Sequence, residues 1–245
     1  MTPPLLEVEG LGKRFGGFVA LDGIELQVAA GERLGLIGPN GSGKSTLVNC
    51  LCGTLRNESG TVKFDGADLA GRSAHERTRL GMARSFQLPR PFFSMSLAEN
   101  IRVPLLYAVA ARRGAHLGAD EIEARCTDLL GLVGLSAKAR RRPRDLTQVE
   151  MRKLELARAM AADPKLLMAD EAMAGLSHSE IDDILALLLR LSEHGVTIIL
   201  IEHIMRAVMH FSQRLVVLVS GRKIADGSPQ AVIQDPDVVR AYVGE

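Results

Sequence analysis

The chain has 245 residues, of which 47% are apolar, and a formal net charge of +1 at pH 7. That length admits one large α/β domain with or without an inserted subdomain, the apolar fraction is enough to fill its core, and the near-zero charge gives no pull towards nucleic acid, so no nucleic-acid partner is expected. The longest apolar runs, such as 196–201, fall well short of the roughly 20 residues that span a bilayer, and the start Met1-Thr2-Pro3-Pro4-Leu5 lacks the basic and apolar stretches of a signal peptide, so a cytoplasmic chain with any membrane role peripheral is expected.

In chain order, strands are expected over 5–8 and 24–28, joined through Lys13-Arg14-Phe15-Gly16-Gly17-Phe18. The run Arg33-Leu34-Gly35-Leu36-Ile37 suits a short buried strand. It leads into Gly38-Pro39-Asn40-Gly41-Ser42-Gly43-Lys44-Ser45-Thr46, a complete G-x-x-x-x-G-K-S phosphate loop. Gly38, Gly41 and Gly43 let the backbone wrap a polyphosphate with its N–H groups inward. Lys44 sets a compact positive charge against the outer phosphates. Ser45 offers a hydroxyl to Mg²⁺, and the helix starting there directs its positive end at the anion. That helix is expected over 45–52, ended by Gly53. Cys50, Cys52 and Cys126 lack metal-ligand spacing and read as reduced, structural thiols.

A further strand is expected over 61–64, closed by the Asp65-Gly66 turn. From about 89 to 144 strand signals vanish, and 97–107 and 120–132 read as helices loosely joined through Gly114 and Gly118. A helix follows over 149–161, then a buried strand over 166–169. Ser177-x-x-Glu180 is a capping box, opening a helix with Ile181, Ile184, Leu185, Leu188 and Leu191 on one face. Buried strands are expected over 196–201 and 215–220. Strands alternating with helices imply a mostly parallel sheet, with an antiparallel segment early in the chain and a helical insert.

The chemistry gathers around that sheet. Leu166-Leu167-Met168-Ala169-Asp170-Glu171 is an apolar strand that delivers two carboxylates to the sheet's carboxyl edge, where open α/β folds bind ligands. Asp170 is placed to hold Mg²⁺, directly or through water, and Glu171 to polarise a water for in-line attack on a γ-phosphorus. Gln87, where the first α/β segment passes into the insert, can reach Mg²⁺ or that water with its carbonyl oxygen. His203, just past a strand end, can donate to a γ-phosphate oxygen.

Taken in order, Phe15, Gly38 to Thr46, Gln87, Leu146 to Glu150, Asp170-Glu171, Gly175 to His178 and His203 resemble the ATPase subunits of ATP-binding cassette transporters over essentially the whole chain. The resemblance implies a RecA-like P-loop NTPase fold and a single nucleotide-binding domain, with 1–86 and 163–245 as catalytic core and 87–162 as helical subdomain. It implies ATP and Mg²⁺ as cofactors, and a head-to-tail dimer with a second ATPase subunit, a copy or a paralogue, in which the signature segment of one subunit meets the nucleotide of the other. It also implies that Phe15 stacks on adenine, with Phe18 as the competing aromatic.

Two positions depart from the family pattern. The usual Leu-Ser-Gly-Gly-Gln is here Leu146-Thr147-Gln148-Val149-Glu150, and Ala172 replaces the proline that usually follows Asp-Glu. Thr147 keeps the hydroxyl, while Thr147-x-x-Glu150 also reads as a capping box. Within the family, four runs are similar to the branched-chain amino acid importer ATPases: Gly81 to Gln87, Ala174-Gly175-Leu176, Ile201 to Met205 and Asp235 to Gly244. That similarity implies two integral membrane permease subunits, a periplasmic solute-binding protein acting indirectly, and a place on the inner face of the cell membrane. Competing readings are a nucleotide-gated regulatory subunit with weak hydrolysis and a lipid exporter's ATPase. The run Lys138-Ala139-Arg140-Arg141-Arg142-Pro143-Arg144 reads as a solvated linker or as a contact for anionic groups, and Phe92, Phe93 and 94–97 as apolar anchors for a permease helix or as residues packed inside the insert.

Overall fold

The computed structural model of the protein describes residues 3–86, 88–114 and 117–243. Its centre is a six-stranded sheet in the order β10-β9-β3-β8-β7-β6. The strands are β3 (Arg33–Ile37), β6 (Met82–Ser85), β7 (Leu166–Asp170), β8 (Thr197–Ile201), β9 (Arg214–Val219) and β10 (Arg222–Gly227). All neighbours pair in parallel except β10, which folds back on β9. Every residue of β7 and β8 is buried, as strands covered on both faces require. Their side chains alternate between two cores. Leu167, Ala169, Ile198 and Leu200 face a cluster shared with the helices, and Leu166, Met168, Ile199 and Ile201 face the other side.

That other side is closed by an antiparallel sheet, β2-β1-β4-β5, made of β1 (Leu6–Phe15), β2 (Phe18–Val28), β4 (Ser59–Phe64) and β5 (Ala67–Asp68). The first hairpin is longer than the sequence suggests. β1 runs through Lys13 and Arg14 to Phe15, and the turn is only Gly16-Gly17. Shifts of register between Val8 and Arg14 break the apolar alternation that would have revealed its length.

Helix α1 (Lys44–Cys52) leaves the phosphate loop and stops at Gly53, whose φ of 75° is the left-handed end that glycine permits. α2 (Ala74–Leu80) precedes β6. Between β6 and β7 the described chain contains no strand: α3 (Leu97–Pro104), α4 (Ala110–Arg113), α5 (Ala119–Leu132) and α6 (Gln148–Met160) fill it. The helix expected over 97–107 changes character at Pro104, which has no N–H to donate, and continues as a π turn over Leu105–Val109 before α4. Leu97, expected as an exposed anchor, is fully buried, and Ser96 caps α3. Phe92 and Phe93 remain 42% and 45% exposed.

α7 (His178–Glu193) begins at the Ser177–Glu180 capping box and buries Ile181, Ile184, Leu185, Leu188 and Leu191. α8 (Met205–Phe211), α9 (Pro229–Val232) and α10 (Pro236–Val243) complete the chain, with Val238 of α10 packed in one cluster with Ile37, the residue before the phosphate loop. Among the described residues no helix is long and apolar enough to cross a membrane. The three cysteines are free, and burial pushes the Cys52 thiol up to about 11.

Candidate nucleotide site

The loop between β3 and α1 encloses a cleft of about 240 Å³ lined by Asn40 to Thr46, Phe18, Ala20 and Glu171. Its tightness is a property of its glycines. At Gly38, φ is 153° and a Cβ would sit 2.1 Å from the carbonyl oxygen of Leu218. At Gly43, φ is 103° and a Cβ would sit 2.7 Å from that of Ala20. No other residue lets the backbone pass there. Lys44 Nζ donates to the carbonyls of Gly38 and Pro39 at 2.7 and 3.0 Å, which holds the ammonium over its own loop. Burial lowers its pKa, and the charges of Glu171 and Asp170 oppose that shift.

Glu171 reaches this cleft from the end of β7. Its φ of 47° is left-handed, a conformation that costs a non-glycine residue about 1–3 kcal/mol and gathers at functional sites. Its N–H donates to the Ile201 carbonyl at 2.9 Å, which fixes the turn. Asp170 is buried and ion-paired: Arg84 Nη2 donates to its Oδ2 at 2.5 Å. Nη1 of the same guanidinium donates to Asn49 Oδ1 on α1 at 2.7 Å. No other hydrogen bond engages the Asp170 carboxylate among the described residues.

The remaining expected residues are spread out. Phe18, not Phe15, lines the cleft; the two face each other across the hairpin, and Lys13 Nζ lies 5.4 Å from the Phe15 ring centre. His203 follows β8, exposed, with Nδ1 3.9 Å from Glu202 Oε2, and is not among the lining residues. Gln87 lies outside the described residues. Thr147 is the N-cap of α6, far along the chain from the loop, and its Oγ1 accepts the Glu150 N–H at 3.3 Å. Glu150 returns the contact by accepting the Thr147 N–H, so the capping box forms. Lys138 donates to the same carboxylate and, with the Thr147 N–H, keeps the Glu150 pKa below the usual range.

Two groups escape the sequence. Arg84 sits in register with Met168, on the strand beside β7, so the two-residue period puts it on the face of Asp170. Only the strand pairing reveals this. Lys138 opens the basic run noted above, and nothing in that run singles out Glu150 as its partner.

The site suits Mg²⁺ by donor chemistry. The Ser45 hydroxyl in the cleft and the Asp170 carboxylate, which ends the neighbouring strand and is held by Arg84, are hard oxygen donors, and no group of three His, Cys, Asp or Glu converges among the described residues. Mg²⁺ at nucleotides is typically held by one or two such side chains plus phosphates rather than by an all-protein cage.

Known proteins of the same kind match the chain from end to end. The family model described as ABC transporter matches residues 21–174, and that for the branched-chain amino acid ATP-binding cassette transporter matches residues 222–245. The high-affinity branched-chain amino acid transport ATP-binding protein BraF of Pseudomonas aeruginosa is 40% identical over 100% of both chains. LivG of Escherichia coli, of the same description, is 37% identical over 100% of both. A crystal structure of the ADP conformation of an ATP-binding cassette of an ABC transporter, 32% identical, superimposes with a TM-score of 0.87 over 100% of both chains. The phosphate-loop cleft, the Asp-Glu strand end and these full-length similarities together mean that the chain belongs to the ABC transporter ATP-binding family.

Proposed function

We propose that the chain binds and hydrolyses ATP to power an importer of branched-chain or related hydrophobic amino acids. The cleft in which Lys44, Ser45 and Glu171 converge carries this reading, and the descriptions of the full-length relatives support the choice of cargo. The loop from Gly38 to Thr46 wraps the triphosphate, with Lys44 against its outer phosphates. Ser45, Asp170 and the Gln87 carbonyl would hold Mg²⁺, directly or through water, and the ion would supply positive charge against the phosphates. Glu171 takes the proton of the attacking water, and His203 donates to a γ-phosphate oxygen. Phe15 or Phe18 offers adenine an aromatic face.

In the same reading residues 1–86 and 163–245 form the catalytic core and 87–162 the helical subdomain. A second ATPase subunit, a copy or a paralogue, pairs head to tail so that Thr147 meets its nucleotide. Two integral membrane permeases hold the pair on the inner face of the cell membrane, and a periplasmic binding protein delivers the cargo to them. The exposed Phe92 and Phe93, with a groove of about 230 Å³ lined by Cys52, Arg84, Phe86, Pro104 and Arg158, form the face assigned to the permease. The test is leucine uptake by proteoliposomes holding the assembled transporter and ATP. Uptake and phosphate release should both require this chain and both vanish in Lys44→Ala. Phosphate release without uptake of any hydrophobic amino acid would overturn the cargo and leave the ATPase.

A further inference from the structure

Lys138 ends a short 3-10 turn, Ser136–Lys138, that follows α5. Its Nζ donates to both carboxylate oxygens of Glu150, at 2.6 and 2.7 Å. Glu150 Oε2 also accepts the Thr147 N–H at 3.0 Å, so the carboxylate is folded back on the start of α6 and gripped from two sides. The related signature has a neutral amide at this position. Here a full negative charge stands in the first turn of α6, the helix whose cap, Thr147, is read above as meeting the partner's nucleotide. The helix end itself welcomes the carboxylate in the free chain, but a second anion brought to the same place is repelled by it. Lys138 supplies the missing positive charge.

The side chains of the pair are 38% and 21% exposed. In water such an ion pair does little for stability. Sandwiched against a second subunit it loses solvent, and its charge balance then weighs on which neighbours are tolerated. We propose that Lys138 is a positioning residue of the composite nucleotide site: it cancels and holds back the Glu150 carboxylate, so that the N-terminus of α6 can receive the partner's γ-phosphate. This rests on the reading that the Thr147 segment works in trans.

The experiment is steady-state ATP hydrolysis by the assembled transporter carrying Lys138→Met, Glu150→Gln or both, at low and high salt. Lys138→Met should lower kcat/KM about tenfold at low salt, with the gap narrowing as salt screens the carboxylate before the subunits close on the nucleotide. Adding Glu150→Gln to Lys138→Met should restore activity to the level of Glu150→Gln alone, several-fold above Lys138→Met, because the charge that needed cancelling is gone. Lys138→Arg should be tolerated. A double variant as slow as Lys138→Met would overturn the proposal, since the lysine would then act through packing, and so would a Lys138→Met enzyme with parental kcat/KM. Thr147→Asp separates the two layers of the argument: it keeps a good N-cap but adds a charge to the same segment. Loss of activity in Thr147→Asp with none in Lys138→Met sinks the role of Lys138 alone, whereas indifference to both sinks the contact in trans as well.

Discussion

The Arg84 guanidinium joins Asp170 Oδ2 at 2.5 Å to Asn49 Oδ1 at 2.7 Å. One side chain thus links the acidic end of β7 to the helix that issues from the phosphate loop. Arg84 and Asp170 side chains are only 14% and 8% exposed, so the pair leaves a buried charge behind when either member is removed.

Arg84→Met should therefore destabilise the nucleotide-free protein by about 3 kcal/mol, because an unpaired buried carboxylate is costly. Urea unfolding at pH 7.5 measures this. Adding Asp170→Asn to Arg84→Met should recover most of the loss. An equal loss in the single and double variants would show that packing of the arginine stem, not charge, was responsible.

Glu171→Gln keeps the shape of the side chain at its left-handed turn and removes the base. Turnover should fall by at least about a hundredfold, in line with loss of a positioned general base. Affinity for a fluorescent ATP analogue should stay within a few-fold of the parent, and Lys44→Ala should lose that affinity instead. Near-parental turnover in Glu171→Gln would remove Glu171 from the mechanism.

The two aromatics of the first hairpin give opposite forecasts. Phe18 lines the cleft and Phe15 does not. Phe18→Ala should weaken binding of ADP about tenfold if its face carries adenine, with Phe15→Ala nearly neutral, by titration calorimetry. The reverse order would return the stacking role to Phe15.

Glu202 is buried, which raises its pKa despite the N–H of Met173 donating to Oε1 at 2.9 Å. A carboxyl whose folded pKa lies above its unfolded value of about 4.5 costs stability once both states are ionised, and that cost disappears below the unfolded value. Glu202→Gln retains the acceptor and should be the more stable protein at pH 7.5. The difference should shrink as pH falls through the folded pKa and be gone below about pH 4. A gap in thermal midpoint that is constant from pH 7.5 to 4 would contradict this.

Much of this protein is legible in its sequence because the motifs are local. The phosphate loop, the Asp170-Glu171 strand end and the Ser177 cap each lie within a few consecutive residues. So does the capping box at Thr147, which forms as its spacing suggests. What stays hidden depends on contacts between distant segments. β6 is four residues long and includes Arg84, whose charge masks a buried edge strand. Arg84 finds Asp170 across 86 positions, and no periodicity announces that. α2, α8 and the strand pair ending in β10 are short, and their apolar faces are defined only by what they cover.

The state of the three cysteines has a practical consequence. Cys50 and Cys126 are buried with raised pKa, and Cys52 is pushed to about 11. At pH 7 about one Cys52 in ten thousand carries the thiolate that alkylating reagents attack. Maleimide dyes should therefore label the unaltered chain slowly, which mass spectrometry of dye-treated protein checks. A single cysteine placed at exposed Phe93 or Tyr107 can be labelled on an otherwise unaltered background, and distances between subunits followed by fluorescence through the ATP cycle.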